Sequence, residues 1–202
     1  MDIPALSKMV PPEFRAALWG LFAEMDAAYE KASSDTGFVC TGCEDNCCMT
    51  WFHHHTVAEV LALYDGFCSL PENARSQVIQ KARMVFEARK THNDADGPFR
   101  AWCPLNFDGR CAAYAHRPMI CRLHGLSWKM TLPHGIVQQG PGCGVFEGQA
   151  LGKAEPALDR TPFYRRLAAL EKDLRLALSF TGRIRLSVAE TIALFAPPLE
   201  EP

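Results

Sequence analysis

The sequence predicts a mainly α-helical protein with irregular cysteine-rich loops and one short β-hairpin. Two observations predict this fold class. Apolar residues recur at helical spacing in several segments, most of which begin with helix-capping residues. Between these segments lie cysteine clusters with glycine, asparagine and aspartate, which favour loops over regular structure. We expect the helices to supply the hydrophobic core.

The first predicted helix spans residues Pro12 to Ala32. Pro11 and Pro12 suit the first turn of a helix, and the segment from Ser33 to Gly37 is expected to end it. The apolar residues at helical spacing, which we expect to face the core, are Phe14, Leu18, Leu21, Phe22, Met25 and Tyr29.

Two capping patterns predict the next two helices. Thr56 and Glu59 form a capping box that opens one helix, which Gly66 is expected to end. Ser69 and Glu72 form a second box and open a helix to about Lys90, with Pro71 in its first turn. The predicted buried residues are Val57, Val60, Leu61 and Tyr64 in the first helix and Val78, Ile79, Ala82, Val85 and Phe86 in the second.

Turn residues predict the local structure of the middle of the chain. Cys103 precedes a proline and is therefore expected to be extended, and the turn at 108–109 (Asp-Gly) brings the chain back toward it. A helical turn is expected at 112–116, and Pro118 begins another over 119–123. Segments 127–131 and 136–139 flank Leu-Pro-His-Gly and predict a β-hairpin.

The C-terminal part of the sequence predicts a linker and two more helices. The linker covers 148–159, and Thr161 and Pro162 then open a helix that ends near Gly182. Ser187 and Glu190 cap a last short helix before Pro197-Pro198. We therefore divide the chain into an N-terminal helix at 1–37, a cysteine-cluster metal-binding domain at 38–147 and a C-terminal helical extension at 148–202 that packs on the core.

Composition excludes several classes of protein. The chain has 202 residues, a formal net charge of −2 and well-mixed charges, so it lacks the basic surface of a nucleic-acid-binding protein. Its N-terminus lacks the features of a secretory signal, and no apolar run is long enough to span a membrane. The sequence predicts a cytoplasmic protein without nucleic-acid or membrane partners, whose protein partner or substrate is unknown.

Nine cysteines predict a metal site. Disulfides are rare in reducing compartments, and vicinal cysteines with a close C-x2-C pair suit thiolate ligation better than a disulfide framework. Cys68 stands apart in an apolar segment and is interpreted as a small buried residue. The remaining eight are the candidate metal ligands: Cys40, Cys43, Cys47, Cys48, Cys103, Cys111, Cys121 and Cys143.

The spacing of these cysteines favours an iron–sulfur cluster over zinc. Structural zinc sites are typically built from two C-x2-C pairs, whereas here only Cys40 and Cys43 have that spacing and the other candidates are dispersed. Four thiolates suffice for one [4Fe–4S] cluster. Arg117 and Arg122 flank Cys121, and we expect their charges to lower thiol pKa values and to offset the charge of a thiolate cluster. Salt bridges to surface carboxylates are the alternative role for both.

Histidines are weaker ligand candidates. His53, His54 and His55 are consecutive, so their side chains diverge and at most one or two share a site; a solvated turn is the alternative interpretation. His124 and His134 lie near the later cysteines, and a structural role is preferred for both.

The cysteine motifs resemble those of a known family. The chain reads Cys40-x2-Cys43-x3-Cys47-Cys48, then Cys111-x2-Tyr-x2-Arg-Pro-x2-Cys121-Arg, with a later Cys143. Over residues 38–147 this pattern resembles the CxxCxxCC (YkgJ-like) cysteine-cluster family, described as a zinc- or iron-chelating domain, although the gap before Cys47 is one residue longer than the family label. The resemblance implies a metal-binding domain. A similar cluster accompanies flagellin lysine N-methylases, which keeps modification of a protein partner open.

Three functional hypotheses follow from the sequence. The first is an iron–sulfur protein, most simply with one [4Fe–4S] cluster, acting in electron transfer, metal handling or modification of a partner protein. The second is a zinc-stabilised interaction module without redox chemistry. The third is a metalloenzyme with an open coordination position, for which a pocket beside the histidines at 53–55 or beside His124 would be the distinguishing feature.

Overall fold

The structure is a computed structural model that describes residues 2–40, 46–149 and 157–195. The described residues form eight α-helices and five short strands, so the mainly α-helical fold class is confirmed. The helices are α1 (Ile3–Met9), α2 (Pro12–Thr36), α3 (Val57–Cys68), α4 (Glu72–Thr91), α5 (Met119–Arg122), α6 (Gly144–Gln149), α7 (Thr161–Ala177) and α8 (Val188–Ala193). The strands are β1 (Asn106–Phe107), β2 (Arg110–Cys111), β3 (Trp128–Thr131), β4 (Val137–Gly140) and β5 (Leu158–Asp159).

The first long helix, α2, confirms the prediction from apolar spacing. It continues to Thr36 because the segment after Ala32 stays helical until Gly37, whose φ of 71° forms a left-handed cap. Its predicted core residues are buried except Tyr29, which is half-buried. Helix α1 was not predicted; the Asp2 side chain caps it by accepting a hydrogen bond from the Ala5 amide, and it packs on α3.

Helices α3 and α4 lie where expected, but their ends differ from the prediction. Gly66 lies inside α3, where it packs closely on His116, and the helix continues for two more residues. Ser69 does not cap α4: its hydroxyl donates to the Gly66 carbonyl, and Pro71 occupies the N-cap of α4. Competition from the C-terminus of α3 for the same serine explains why the second capping box does not form.

Both predicted turns produce antiparallel hairpins. Strands β1 and β2 pair around the turn at 108–109, and β3 pairs with β4 around 132–136. Strand β5 adds to β3 in parallel, so the three-stranded sheet has the order β4-β3-β5. The predicted linker at 148–159 is therefore wrong at its described ends, which belong to α6 and β5; its middle lies outside the described residues.

The buried apolar residues form two clusters. The first apolar cluster lies between α2, α3, α5 and α7 and includes Leu21, Phe22, Val60, Leu167 and Leu174. The second apolar cluster lies between α3, α4, α8 and the β1–β2 hairpin, and includes Leu63, Phe67, Val78, Leu105 and Ile192. Since α3 contributes to both, it forms the wall between them.

The C-terminal helices pack on the rest of the fold. Helix α7 contacts α2 and α3, and α8 contacts α4. Helix α7 ends at Ala177, earlier than predicted, and Ser179 then adopts a φ of 50°. The capping box of Ser187 and Glu190 opens α8 as predicted, while Pro197-Pro198 lies outside the described residues. None of the helices in the described ranges is both long and apolar enough to cross a membrane.

Candidate metal centre

Most of the predicted ligands line one cavity of about 510 Å³. Aromatic side chains form part of its wall, and two of them, Trp102 and Tyr114, are more than half exposed and therefore stand at its mouth. The structure thus brings together distant parts of the chain, as the sequence predicts. The candidate ligands that line the cavity are Cys40, Cys47, Cys48, Cys111, Cys121 and Cys143.

The two other candidate ligands have different positions. Cys103 lines a second, much smaller cavity together with Cys47 and Cys121, which face both cavities. Cys43 lies outside the described residues. All eight described cysteines, including Cys68, are free thiols.

A hydrogen-bonded turn positions Cys47 and Cys48. The Asn46 carbonyl accepts hydrogen bonds from the amides of Met49 (3.0 Å) and Thr50 (3.2 Å), and its side chain accepts one from the Cys48 amide at 2.8 Å. Asparagine favours such turns because its side-chain oxygen can substitute for a backbone acceptor. The Cys48 carbonyl then accepts a hydrogen bond of 2.7 Å from the amide of Cys103, which joins the first cysteine cluster to the central one.

The β1–β2 hairpin carries Cys111 to the site. Asp108 and Gly109 have positive φ values of 48° and 80°, as a two-residue hairpin turn requires. Strand pairing then places Asn106 opposite Cys111. Cys111 therefore lies in a short strand, where the sequence predicted a hairpin-like loop.

Helix α5 carries Cys121, and a buried carboxylate holds its first residue. Pro118 is the N-cap, and the Met119 amide donates a hydrogen bond of 3.0 Å to the Glu59 side chain. Glu59 had been predicted to close a capping box on Thr56. Its amide does bond Thr56 Oγ1, but its carboxylate accepts from Met119 and from the Thr56 hydroxyl. The cysteine-bearing α5 is thus anchored to α3.

Cys143 reaches the cavity through a glycine that no other residue replaces easily. Gly142 has a φ of 98°, and a Cβ built on it would lie 2.6 Å from the Gly125 carbonyl oxygen. This close approach lets the Cys143 amide donate a 2.9 Å hydrogen bond to the same oxygen. Cys143 is buried in the first apolar cluster, where its sulfur accepts a hydrogen bond of 3.5 Å from the Phe146 amide.

Arg117 and Arg122 both line the cavity and share one carboxylate. Asp26 of α2 accepts a hydrogen bond of 3.0 Å from Arg117 and one of 2.5 Å from Arg122. Arg122 also donates to the carbonyls of Arg117 and Ala115, and its guanidinium stacks 4.1 Å from the Phe22 ring centroid. The alternative of surface salt bridges does not describe Arg122, because its side chain is 1% exposed.

Burial favours the protonated form of several of these thiols. It raises the pKa of Cys121 to about 12, and the nearby thiols of Cys111 and Cys48 raise it further, while Arg117 opposes them. Burial likewise raises the pKa of Cys103 and of Cys111. Because a coordinating metal deprotonates a thiol outright, these sites suit a bound cation better than a free thiolate.

In the vicinal pair Cys47–Cys48, the pKa values of the two thiols shift in opposite directions. A hydrogen bond from the Cys47 side chain lowers the pKa of Cys48, and the Asn106 side chain lowers it further. The same contact raises the pKa of Cys47, as does burial. The arrangement places the proton on Cys47 and the negative charge on Cys48.

Two functional residues on α2 were missed in the sequence. Tyr29 lines the cavity, and its pKa is raised by burial and by the neighbouring thiols of Cys40, Cys143 and Cys47. Asp26 holds the two arginines. These residues lie three positions apart on the edge of the apolar stripe of α2, so one helical face presents both. The sequence offers no local signal for them, because a carboxylate and a phenol on the edge of an apolar stripe are common in helices.

The histidine triplet at 53–55 lies away from the cavity. His54 is buried, its Nε2 lies 2.7 Å from the Thr191 hydroxyl, and its backbone pairs with Leu186. His53 is half-buried and His55 is exposed. Among the histidines of the described ranges, His124 does line the cavity, and its ring packs edge-to-face on Phe52.

Two other residues discussed from the sequence, His134 and Cys68, are both exposed. His134 is exposed at the tip of the β3–β4 hairpin. Cys68 was expected to be buried, and this is wrong: it is the last residue of α3 and is exposed, with its thiol against the Tyr64 hydroxyl.

The thiols surround the cavity instead of converging on one point. Within the ranges that the structure describes, no three histidine, cysteine, aspartate or glutamate side chains are grouped so as to hold one metal ion. The site therefore consists of dispersed sulfur donors, two arginines and an aromatic wall around a shared space.

Comparisons with known proteins leave the resemblance to the cysteine-cluster family as a hypothesis based on motifs. No family model, no curated protein and no solved structure matches this chain.

Proposed function

We propose that this protein binds an iron–sulfur cluster, most simply one [4Fe–4S] cluster, through cysteine thiolates. The observation that carries the proposal is that six cysteines from three separate parts of the chain line one cavity. Thiolates are the ligands that iron–sulfur clusters use. Six thiols from such distant segments around one cavity suit ligation better than packing, a role that other small apolar residues would serve equally well.

The shape of the site favours a cluster over a single ion. Four thiolates on one zinc ion lie at about 2.3 Å from it and therefore about 4 Å from one another. A [4Fe–4S] cluster binds one thiolate at each of four irons, so its ligands surround a larger volume. A cavity of about 510 Å³ with sulfur atoms dispersed around its wall matches the larger group.

The charges around the site also suit a cluster. Four thiolates and a [4Fe–4S] core carry net negative charge, which a buried site must offset. Arg117 and Arg122 line the cavity, and among the described carboxylates both pair with the single group of Asp26. In this proposal the bound cluster supplies electron-transfer chemistry, and the protein acts in electron transfer, metal handling or modification of a partner.

A metalloenzyme is the second candidate function. A pocket beside His124 was the feature expected of it, and His124 lines the cavity together with Tyr29 and Phe38. Pockets of about 300–1,000 Å³ lined by aromatic groups are typical of small-molecule sites. In this case one part of the cavity would hold the metal group and the rest would admit a substrate.

Metal analysis of protein purified without oxygen tests the proposal. We expect about four irons with matching sulfide per chain and a brown colour that dithionite bleaches. The matched control is Cys68→Ser, which removes an exposed thiol outside the cavity and should leave the iron content unchanged. A colourless protein that contains one or two zinc ions would refute the iron–sulfur proposal and favour the zinc-stabilised interaction module.

A further inference from the structure

Three of the described candidate thiols lie beside one or the other of the two apolar clusters. Cys103 and Cys111 pack against the second apolar cluster, next to the β1–β2 hairpin. Cys143 is a buried member of the first apolar cluster, where Phe146 packs edge-to-face on Phe38. The two groups therefore approach the cavity from different sides of the fold.

Asn106 joins three of the candidate thiols. Its amide donates a hydrogen bond of 2.9 Å to the Cys103 carbonyl, and strand pairing places it opposite Cys111. Its side chain hydrogen-bonds the sulfur of Cys48. The direct bond between the Cys103 amide and the Cys48 carbonyl closes this set. Asn106 thus interacts with each of the three cysteines, through its amide, its strand pairing or its side chain.

Cys121 belongs with the same three thiols. It lines the large cavity with Cys48 and Cys111, and it lines the small cavity with Cys103. Cys47 also lines both cavities, but it is not among the three thiols that Asn106 joins. Helix α5 and the hairpin therefore present Cys121 and its three partners to one end of the cavity.

Cys143 lies toward the other end of the cavity, and Cys47 lies between the two ends. The amide of Cys143 donates a hydrogen bond to the Gly125 carbonyl. Tyr29 lies close enough to Cys143 and Cys40 for both thiols to raise its pKa. Cys47 is adjacent to Cys48, but side chains of consecutive residues diverge in most backbones. It hydrogen-bonds Cys48 and also faces Tyr29, so it lies between the two groups.

We infer that Cys48, Cys103, Cys111 and Cys121 are the four ligands of one cluster, and that Cys47 and Cys143 are not ligands of it. The inference rests on the proposed function and names the ligand set within it. Four thiolates complete a [4Fe–4S] cluster, one at each iron. The end of the cavity next to Tyr29 and Cys143 then stays free of the cluster.

Two matched pairs of variants test this assignment on protein purified without oxygen. Cys48→Ala and Cys47→Ala compare adjacent residues of one turn, and Cys111→Ala and Cys143→Ala compare two residues that line the same cavity. The readouts are iron per chain, the absorption spectrum, the electron paramagnetic resonance signal of the reduced protein and the circular dichroism of each variant.

We expect Cys47→Ala and Cys143→Ala to keep about four irons per chain and the wild-type resonance signal. Cys48→Ala and Cys111→Ala should lose the four-iron cluster. If Cys48→Ala and Cys111→Ala fail to fold, Cys47→Ala and Cys143→Ala still test the assignment. About four irons per chain in both of them supports it. Loss of iron from a folded Cys47→Ala or Cys143→Ala variant, or retention of the wild-type signal by Cys48→Ala or Cys111→Ala, overturns it.

The same series separates the assignment from the proposed function. Wild-type protein without iron refutes the proposed function, whatever the variants show. Wild-type protein with about four irons and a reversed pattern in either pair keeps the proposed function and refutes the ligand set.

Discussion

The backbone amide of Cys103 donates a hydrogen bond of 2.7 Å to the carbonyl of Cys48. These residues lie more than fifty positions apart, and this bond is made by backbone atoms alone. It therefore positions the two cysteines without requiring either thiol. The first cysteine cluster is thus joined to the central stretch of the chain through backbone atoms.

Removal of the Asp26 charge should destabilise the fold. Asp26→Asn leaves the guanidinium of Arg122 buried without its carboxylate, and we expect unfolding free energy to fall by about 2–3 kcal/mol. Urea denaturation of wild type and variant measures this change. Asp35→Asn, which breaks an exposed pair with Lys31, is the control and should change stability by less than about 0.5 kcal/mol. Equal effects for both variants would contradict the role of Asp26.

Arg117 should influence the reduction potential of a bound cluster. Arg117→Gln removes a positive charge from the cavity wall, which disfavours the more negative reduced state. We expect the potential to become more negative, by on the order of 50 mV. Potentiometric titration followed by absorption measures it, with Arg183→Gln, which does not line the cavity, as control. An unchanged potential would show that Arg117 acts through Asp26 alone.

Gly142 should not tolerate a side chain. Its φ of 98° and the 2.6 Å approach of the Gly125 oxygen to a Cβ predict that Gly142→Ala lowers the free energy of unfolding by at least about 2 kcal/mol. Gly148→Ala is the matched control, because a Cβ there meets nothing within 4 Å and alanine favours the helix. Chemical denaturation should therefore show a lower free energy of unfolding for Gly142→Ala and a higher one for Gly148→Ala. A neutral Gly142→Ala would contradict the tight packing of Cys143.

Glu59 should act as a hydrogen-bond acceptor and not as a charge. Burial raises the pKa of Glu59, while hydrogen bonds from the Thr56 side chain and the Met119 amide oppose that rise. Glu59→Ala leaves the Met119 amide without its acceptor and should lower unfolding free energy by about 2–3 kcal/mol. Glu59→Gln keeps an acceptor and should remain within about 1 kcal/mol of wild type at pH 7. Thermal and urea unfolding at fixed pH measure both, and a loss in Gln as large as in Ala would show that the charge matters.

His54 should make the fold sensitive to acid. Burial lowers the pKa of His54 from 6.5 to about 3. Below pH 6.5, His54 therefore becomes protonated in the unfolded chain but stays neutral in the folded chain. Stability from this residue is complete above pH 6.5 and falls by about 1.4 kcal/mol per pH unit as the pH drops toward 3.

The variant His54→Gln checks this expectation. Glutamine keeps a donor for the Thr191 hydroxyl but does not titrate, so the pH slope of unfolding free energy should be smaller than in wild type between pH 6.5 and 4. The exposed His134→Gln is the control and should keep the wild-type slope. Identical slopes in all three proteins would show that His54 takes up its proton in the folded state.

The sequence predicted those features that depend on neighbouring residues. Apolar spacing located α2, the turn at Asp108 and Gly109 located the β1–β2 hairpin, and Ser187 with Glu190 located the start of α8. Ser69 was misjudged because two helix ends compete for one hydroxyl. Helix α1 was missed, since its seven residues are too few for a clear apolar period.

The site itself was predictable only as a set of residue types. Thiols are recognisable in a sequence, so the candidate ligands and the flanking Arg117 and Arg122 were found. Asp26 and Tyr29 were not, because nothing local distinguishes them from other residues on the edge of an apolar stripe. Their role arises when α2 packs beside α5 and the cysteine turns.

By itself the sequence determined the helical class, the β3–β4 hairpin, the turn between β1 and β2 and the sulfur chemistry that the chain offers, because periodicity, turn residues and thiols act over a few neighbouring positions. The tertiary structure alone decided that Glu59 holds Met119, that Asp26 holds both arginines and that Asn106 groups Cys48, Cys103 and Cys111. Those contacts depend on how distant segments pack, and many packings share the same local pattern.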